Sequence, residues 1–158
     1  MKALRVYVDT TVIGGCIDAK YRAESMRLVE AARRGRLVLL LSDVVVAELA
    51  EAPARVRSIL QSLPAGAVEK VELTGEVFQL RDAYLSARIV GQRWADDTAH
   101  VAAATVARAD AVVSWDCEHL VESERVKGYN QVNGRRGYGK VSIVTPEEVV
   151  GEQEAGGK

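Results

Sequence analysis

The amino-acid sequence predicts an α/β fold: a parallel sheet covered on both faces by helices. Three observations carry this. Short apolar runs alternate with helical patterns along the whole chain. One run, LVLLL at 37–41, is continuous, as a strand buried on both faces requires. No repeat, linker or low-complexity tract divides the 158 residues, so one domain is expected over 1–150, followed by a polar tail, 151–158, that should fray.

The elements follow in order. Residues 4 to 9 (LRVYVD) read as a first strand, rich in β-branched and aromatic side chains. Residues 23 to 34 place Met26 and Val29, or Leu28 and Ala31, at helical spacing, and Gly35 is the stop. The strand at 37–41 gives way to a helix capped by Ser42 and running through Glu51. Pro53 opens a helix over roughly 54–62. A turn at Pro64 and Gly66 leads to a third strand, AVEKVEL. Thr74 opens a helix over 75–89, and Gly91 ends it. Residues 96–108 form an alanine-rich helix whose small side chains let it lie close on a sheet. AVVS at 111–114 is the fourth strand. A loop rich in glycine and basic residues precedes VSIVT at 141–145, the fifth, and Pro146 starts a last short helix.

Composition narrows the function classes. Apolar residues make up 48% of the chain and aromatic residues only 5%, so the core must be built from Val, Leu, Ile and Ala. No apolar run reaches the length of a membrane span, because LVLLLSDVVVAELA is broken by Ser42, Asp43 and Glu48. MKALRVYVDTT lacks the apolar segment and cleavage site of a secretory signal, which points to the cytoplasm. Two cysteines, Cys16 and Cys117, are expected to be free and structural. Net charge is −1, so a nucleic-acid ligand would have to meet a local basic patch.

In parallel sheets ligands bind beyond the carboxyl ends of the strands. Asp9 ends the first strand, Asp116 follows the fourth, and Asp97 lies in the first turn of the helix entering the fourth. Glu48 lies two turns into the helix leaving the second strand and joins them if that helix leans over the edge. Four like charges in one place cannot all stay ionised without a cation, and oxygen-only ligands favour Mg²⁺ or Mn²⁺. Each acid also has a plainer role. Asp9, with Thr10 and Thr11 after it, can cap a turn; Glu48 is a good helix former, although the only charge in VVVAELA; Asp97 or Asp96 can favour a helix start; Asp116 can be a strand-to-turn residue. Thr11 is placed to donate a hydrogen bond to a carboxylate. His100, one turn beyond Asp97, is by default a packed histidine. The Cys117–Glu118–His119 run lacks the repeated spacing of a zinc site. Two histidines and no nucleophile elbow give little support to a serine or cysteine triad, and Gly14–Gly15 is not a phosphate loop.

VYVDTTVIGG, SDVVVAELAEAP, DTAHVAAA and AVVSWDCEHLV, in this order and spacing, together with GYNQVN and VSIVTPEEVV, resemble the PIN-domain ribonucleases, the class that includes VapC-like toxins. The resemblance covers nearly the whole chain. It implies a three-layer fold with sheet order 3-2-1-4-5, Mg²⁺ or Mn²⁺, and RNA cleavage. It maps the family's acids onto Asp9, Glu48, Asp97 and Asp116, with Asp97 preferred to Asp96 because His100 matches the family's D-x-x-H, and it gives Thr11 the place of the family's Ser or Thr. It also implies a small antitoxin as partner and self-pairing as a homodimer.

From Arg125 to Lys140 the chain carries Arg125, Lys127, Arg135, Arg136 and Lys140 and no acid, with Tyr129 and Tyr138 interleaved among four glycines. This reads as a flexible RNA-binding loop that pairs phosphates and stacks bases, or as an ordinary solvated basic loop. Two other functions remain open: a PIN-like module that holds RNA or protein without cleaving, and a haloacid-dehalogenase-like phosphatase. The latter needs a second aspartate two residues after Asp9, where Thr11 stands.

Overall fold

The strand at Leu4–Val8 (β1) shows why the molecule has two cores. Its side chains alternate: Val6 and Val8 enter one apolar cluster and Tyr7 enters another on the opposite face. The second strand, Leu37–Ser42 (β2), does the same, with Leu37, Leu39 and Leu41 on one side and Leu40 on the other. A strand buried on both faces needs covering layers on both, and the intervening helices supply them.

The computed structural model describes residues 3–89, 95–116 and 123–156. Beyond β1 and β2, the sheet contains β3 (Val68–Val71), β4 (Ala111–Val113) and β5 (Ser142–Val144). All pairings are parallel, and the order is β3-β2-β1-β4-β5, as the alternation and the family resemblance predict. Eight helices flank it among the described residues. The face bearing Val6 and Val8 is covered by α1 (Thr10–Gly14), α2 (Arg22–Arg33), α3 (Asp43–Ala50), α4 (Ala54–Gln61) and α8 (Pro146–Gly156). The face bearing Tyr7 is covered by α5 (Gly75–Ser86), α6 (Ala95–Val106) and α7 (Ser123–Arg135). No helix among the described residues is long and apolar enough to cross a membrane.

Local chemistry sets the boundaries. Ser42 caps α3 by accepting from Val45 N at 3.3 Å, and Thr74 caps α5 by accepting from Val77 N at 3.4 Å. The chain leaves α2 through Gly35 at φ 79°, while Gly35 N donates to Ala32 O (3.0 Å) and Arg36 N to Ala31 O (2.9 Å). The α5 helix stops at Ser86, short of the expected 89, with Arg88 at φ 57°; the expected stop, Gly91, lies outside the described residues. The last helix is longer than the short one expected, reaching Gly156. A short helix at Thr10–Gly14 follows β1 directly, where the sequence reading placed nothing.

The central strands β1 and β4 align over only three positions, Val6–Ala111, Tyr7–Val112 and Val8–Val113. Side chains reinforce this pairing. At the amino ends Arg5 N donates to Asp110 Oδ2 (2.8 Å) and Asp110 N to Arg5 O (2.7 Å). At the carboxyl ends Asp9 meets Ser114.

Most of the glycine-rich basic segment is not a loop: residues 123–135 are α7, and only 136–140 remain irregular. Gly128 faces Ile89, where a Cβ would come to 3.0 Å of the Ile89 side chain. Gly134 is exposed, with open space around it. Gly137, at φ 82°, is the stop, with Tyr138 N donating to Asn133 O at 2.8 Å. Tyr129, expected among the base-stacking residues, is fully buried and packs edge-to-face on Tyr84 with centroids 4.8 Å apart. Burial pushes the Tyr84 phenol up to about 12, and it donates to Asn133 Oδ1 within the same core. An apolar stripe of Tyr129 and Val132 therefore outweighed the helix-breaking reputation of glycine.

Substitutions at two of these glycines should have opposite signs. Gly134→Ala is expected to stabilise by up to about 1 kcal/mol, because a helical glycine is replaced where nothing obstructs a methyl group. Gly137→Ala is expected to destabilise by about 1–2 kcal/mol, because alanine resists the left-handed backbone. Urea denaturation of both variants checks the pair; equal signs would contradict this account of the α7 terminus.

Candidate active site at the carboxyl ends of the strands

Asp9 follows the last residue of β1 and is 5% exposed. It caps α1: Oδ1 accepts from Thr11 N at 3.1 Å. The plain capping role is therefore real, but it leaves the rest of the carboxylate unexplained. Oδ1 also accepts from Thr11 Oγ1 (2.5 Å), and Oδ2 accepts from Ser114 Oγ (2.5 Å). Three donors hold one carboxylate in a fixed plane. Burial nevertheless raises the Asp9 carboxyl above its usual range, against the lowering effect of the Ser114 and Thr11 hydrogen bonds and of the His100 charge.

Register explains how Ser114 arrives. Val8 stands beside Val113, so the next residues, Asp9 and Ser114, leave neighbouring strands together. Ser114 Oγ also accepts from Asp116 N at 2.9 Å, which draws the half-buried Asp116 onto the same edge. Thr11 Oγ1 accepts from Trp115 N at 3.1 Å, tying the turn after β1 to the turn after β4. The Trp115 indole donates to Ser25 Oγ (2.9 Å) and stacks on Tyr21 at 4.3 Å, anchoring that turn to α2.

Glu48 reaches this edge differently from the way the sequence suggested. Its isolation in VVVAELA pointed to a polar interior; in the structure it is exposed, and its Oε2 accepts from Thr10 Oγ1 at 2.7 Å. It leans over the edge because α3 departs from the end of β2, next to β1. Asp97 lies in the first turn of α6 by its backbone; its side chain, and that of Asp96, lie outside the described residues. So do Cys117, Glu118 and His119. Cys16 is buried and free, and burial pushes its thiol up to about 11, which makes it inert.

Below the acids, Tyr7 Oη lies 2.6 Å from His100 Nδ1. Burial raises the Tyr7 phenol strongly, Ser42 lowers it through a hydrogen bond, and the charges of Asp9 and Glu48 raise it further. Sequence reading gave Thr10 only a turn role and Ser42 only a helix-capping role, and it missed Ser114 and Tyr7. Of those two only Ser114 left a signal: a small hydroxyl directly after a buried strand, two positions before an acid.

The five basic residues divide along α7. Arg125 and Lys127 occupy its first turns, just after β4 delivers the chain to the acidic edge. Arg135 lies ten positions beyond Arg125, about 15 Å further along the axis at ~1.5 Å per residue. Arg136 follows it, and Lys140 lines a cleft with Arg108 and Ala109, which precede β4. These three belong to the opposite end of the sheet, so no single basic loop faces the acids.

In kind, the donors are carboxylate oxygens, which a hard divalent cation takes, and the most buried of them, Asp9, is held against its own desolvation, which a cation would relieve. Among the described residues no group of three His, Cys, Asp or Glu lies close enough to hold an ion by itself.

No family model matches the chain. No curated protein matches it. Among solved structures, it is similar to the crystal structure of VapBC2 from Rickettsia felis bound to a DNA fragment from their promoter. Identity is 12%, with a TM-score of 0.55, over 90% of this chain and 98% of that one. At that identity the likeness is one of fold.

The raised Asp9 carboxyl has a consequence for stability. A carboxyl raised on folding favours the folded state below the ordinary carboxylate range, and that advantage is lost as pH rises through the raised value. In chelator, Asp9→Asn should therefore melt above the wild type at pH 7, and the gap should close as pH falls toward ~4, the ordinary aspartate range. Thermal melts of both proteins across that range check it; a gap that does not move with pH would assign the effect to something else.

Proposed function

We propose that this chain is a Mg²⁺- or Mn²⁺-dependent ribonuclease that hydrolyses RNA phosphodiester bonds and acts in the cytoplasm as the toxin of a toxin–antitoxin pair. The observation that carries the reading is the buried Asp9 carboxylate, oriented by Thr11 and Ser114, with Thr10 holding the Glu48 carboxylate and Ser114 Oγ accepting from the Asp116 backbone N–H beside it. The order of the PIN-like motifs and the fold likeness to the VapBC2 structure support the toxin assignment. A small antitoxin that covers the acidic edge and a second copy of the chain are the partners it implies.

In this reading Asp9 and Asp97 hold the cation, and Glu48 and Asp116 complete the cage. The ion, when bound, activates water and offsets charge on the attacked phosphate. The protein's own contribution is orientation. Thr11 and Ser114 fix the plane of the Asp9 carboxylate, so no rearrangement of that ligand is needed on binding. Arg125 and Lys127, at the near end of α7, are placed to meet phosphates of the strand. Arg135, Arg136 and Lys140 would meet only a strand long enough to reach the far end of the sheet.

Cleavage of a long RNA in Mn²⁺ tests the proposal. Losing an outer hydrogen-bond partner of a metal ligand typically costs about 10–100-fold, so Ser114→Ala should fall in that range and Asp9→Asn beyond it. Isothermal titration should show Mn²⁺ binding to the wild type and its loss in Asp9→Asn. Cleavage by Asp9→Asn at the wild-type rate would refute the assignment. Binding of RNA by the wild type without Mn²⁺-dependent cleavage would favour a non-cleaving module instead.

A further inference from the structure

At the amino ends of the strands, opposite the acids, lies a cleft of about 610 Å³. Small-ligand pockets run from roughly 300 to 1,000 Å³, so a ligand of moderate size fits it. The end of α6 and the segment that follows α7 both line the cleft, and each brings a cation, Arg108 and Lys140. Both side chains are exposed, and neither has an ion-pair partner among the described residues. The acids nearby answer to other groups. Glu76, which lines the cleft, accepts from Tyr138 Oη at 2.5 Å. Asp110 Oδ2 accepts from Arg5 N at 2.8 Å, and Glu69 pairs with the Arg5 guanidinium. That guanidinium also donates to Ala107 O (3.0 Å) and Arg108 O (3.2 Å) at the end of α6. Two positive charges are left without a counter-charge.

Arg108 stands there at a cost. Ala109 N donates to Ala104 O at 3.0 Å, closing the end of α6, and the backbone of Arg108 is left at φ 59°. Glycine takes that left-handed position freely, and a side chain there is disfavoured. A charge needed only for solubility could stand at an unstrained neighbour. Beside Lys140 the backbone offers further donors: Gly139 N and Lys140 N have no protein acceptor among the described residues. The remaining surface is apolar and aromatic. Val106 and Val141 line the cleft with Tyr138, which is held at both ends, its N donating to Asn133 O at 2.8 Å and its hydroxyl to Glu76.

We propose that this cleft binds a phosphorylated nucleoside, with Arg108, Lys140 and the free backbone N–H groups on the phosphate and the base against Tyr138 and the two valines. Two cations match the charge of a phosphomonoester, and charge-assisted hydrogen bonds are the strong ones. The nucleoside is a free nucleotide or the phosphorylated end of an RNA strand; both present the same chemistry. The cleft stands apart from the acidic edge and does not rest on the ribonuclease reading.

Amide spectra of the ¹⁵N-labelled full chain, titrated with adenosine 5′-monophosphate in EDTA, test the site. The Gly139 and Lys140 signals should shift, and adenosine alone should leave them in place. Lys140→Gln and Arg108→Gly should each weaken binding by about tenfold, the loss expected for one hydrogen bond to a charged group. Arg108→Gly should also melt above the wild type, since it relieves the backbone while it removes the cation. Unmoved Gly139 and Lys140 signals, an equal response to adenosine, wild-type affinity in either variant, or a lower melting point for Arg108→Gly would overturn the proposal. Asp9→Asn should bind the nucleotide as the wild type does, so this site and the acidic edge fail separately; weaker binding there would place the ligand among the acids and overturn the cleft. A tetranucleotide with a 5′-phosphate that displaces the nucleotide, where its 5′-hydroxyl counterpart does not, identifies the RNA end as the source. Failure of both to displace it identifies the free nucleotide.

Discussion

A carboxylate shut away from water is the constraint that organises the carboxyl edge of this sheet. An ionised group in that position is costly unless its oxygens are occupied, and the chain occupies those of Asp9 with donors from two separate turns. Thr11 is local, but Ser114 arrives only because β1 and β4 are neighbours in register. The turn after β4 is then tied to Thr11 through the Trp115 backbone, and to α2 through the Trp115 indole. Packing there is close: a Cβ on Gly15 would come to 2.6 Å of Ser25 Oγ and 3.1 Å of the indole nitrogen. Position of the acids and packing of this face are thus one problem, solved by the same few hydroxyls.

On the other face small side chains do the corresponding work. Val101, Ala102, Ala103 and Ala104 of α6 are all fully buried. Alanines allow a helix to approach the sheet closely, and the approach brings His100 onto Tyr7 of the central strand. Tyr7 lies on β1 two residues before Asp9, so this contact sits close behind the edge. The edge is therefore supported from both sides of the sheet, with Ser42 joining them through its place at the start of α3.

The parallel sheet and most of the helices were legible in the sequence, because they depend on periodicity and on capping residues that act locally, while the strand order came from the family resemblance. Ser42, Pro53, Thr74 and Gly35 stand where their local chemistry predicts. The segment 123–135 was misread for a physical reason. Its glycines look like flexibility when counted, whereas Gly128 is there to let Ile89 approach. Among the acids, Asp9 was readable as a charge closing a buried strand, and Thr11 as its nearest hydroxyl. Tyr7 was not, and Ser114 only as a small hydroxyl near an acid, because their roles come from strand register and from contacts more than ninety positions away. Glu48 was placed correctly at the edge and wrongly in the interior, since an apolar neighbourhood in sequence does not fix which way a helix turns.

The three-residue pairing of β1 with β4 also bears on how the chain is made. Residues 4–8 are made before either of their neighbours, and one flank is satisfied as soon as Leu37–Leu40 emerge. The other flank waits for Ala111–Val113. Through that interval Val6, Tyr7 and Val8 form an open apolar strand edge, the kind of surface on which nascent chains stick to one another. Partners so distant along the chain also slow the search for the native arrangement.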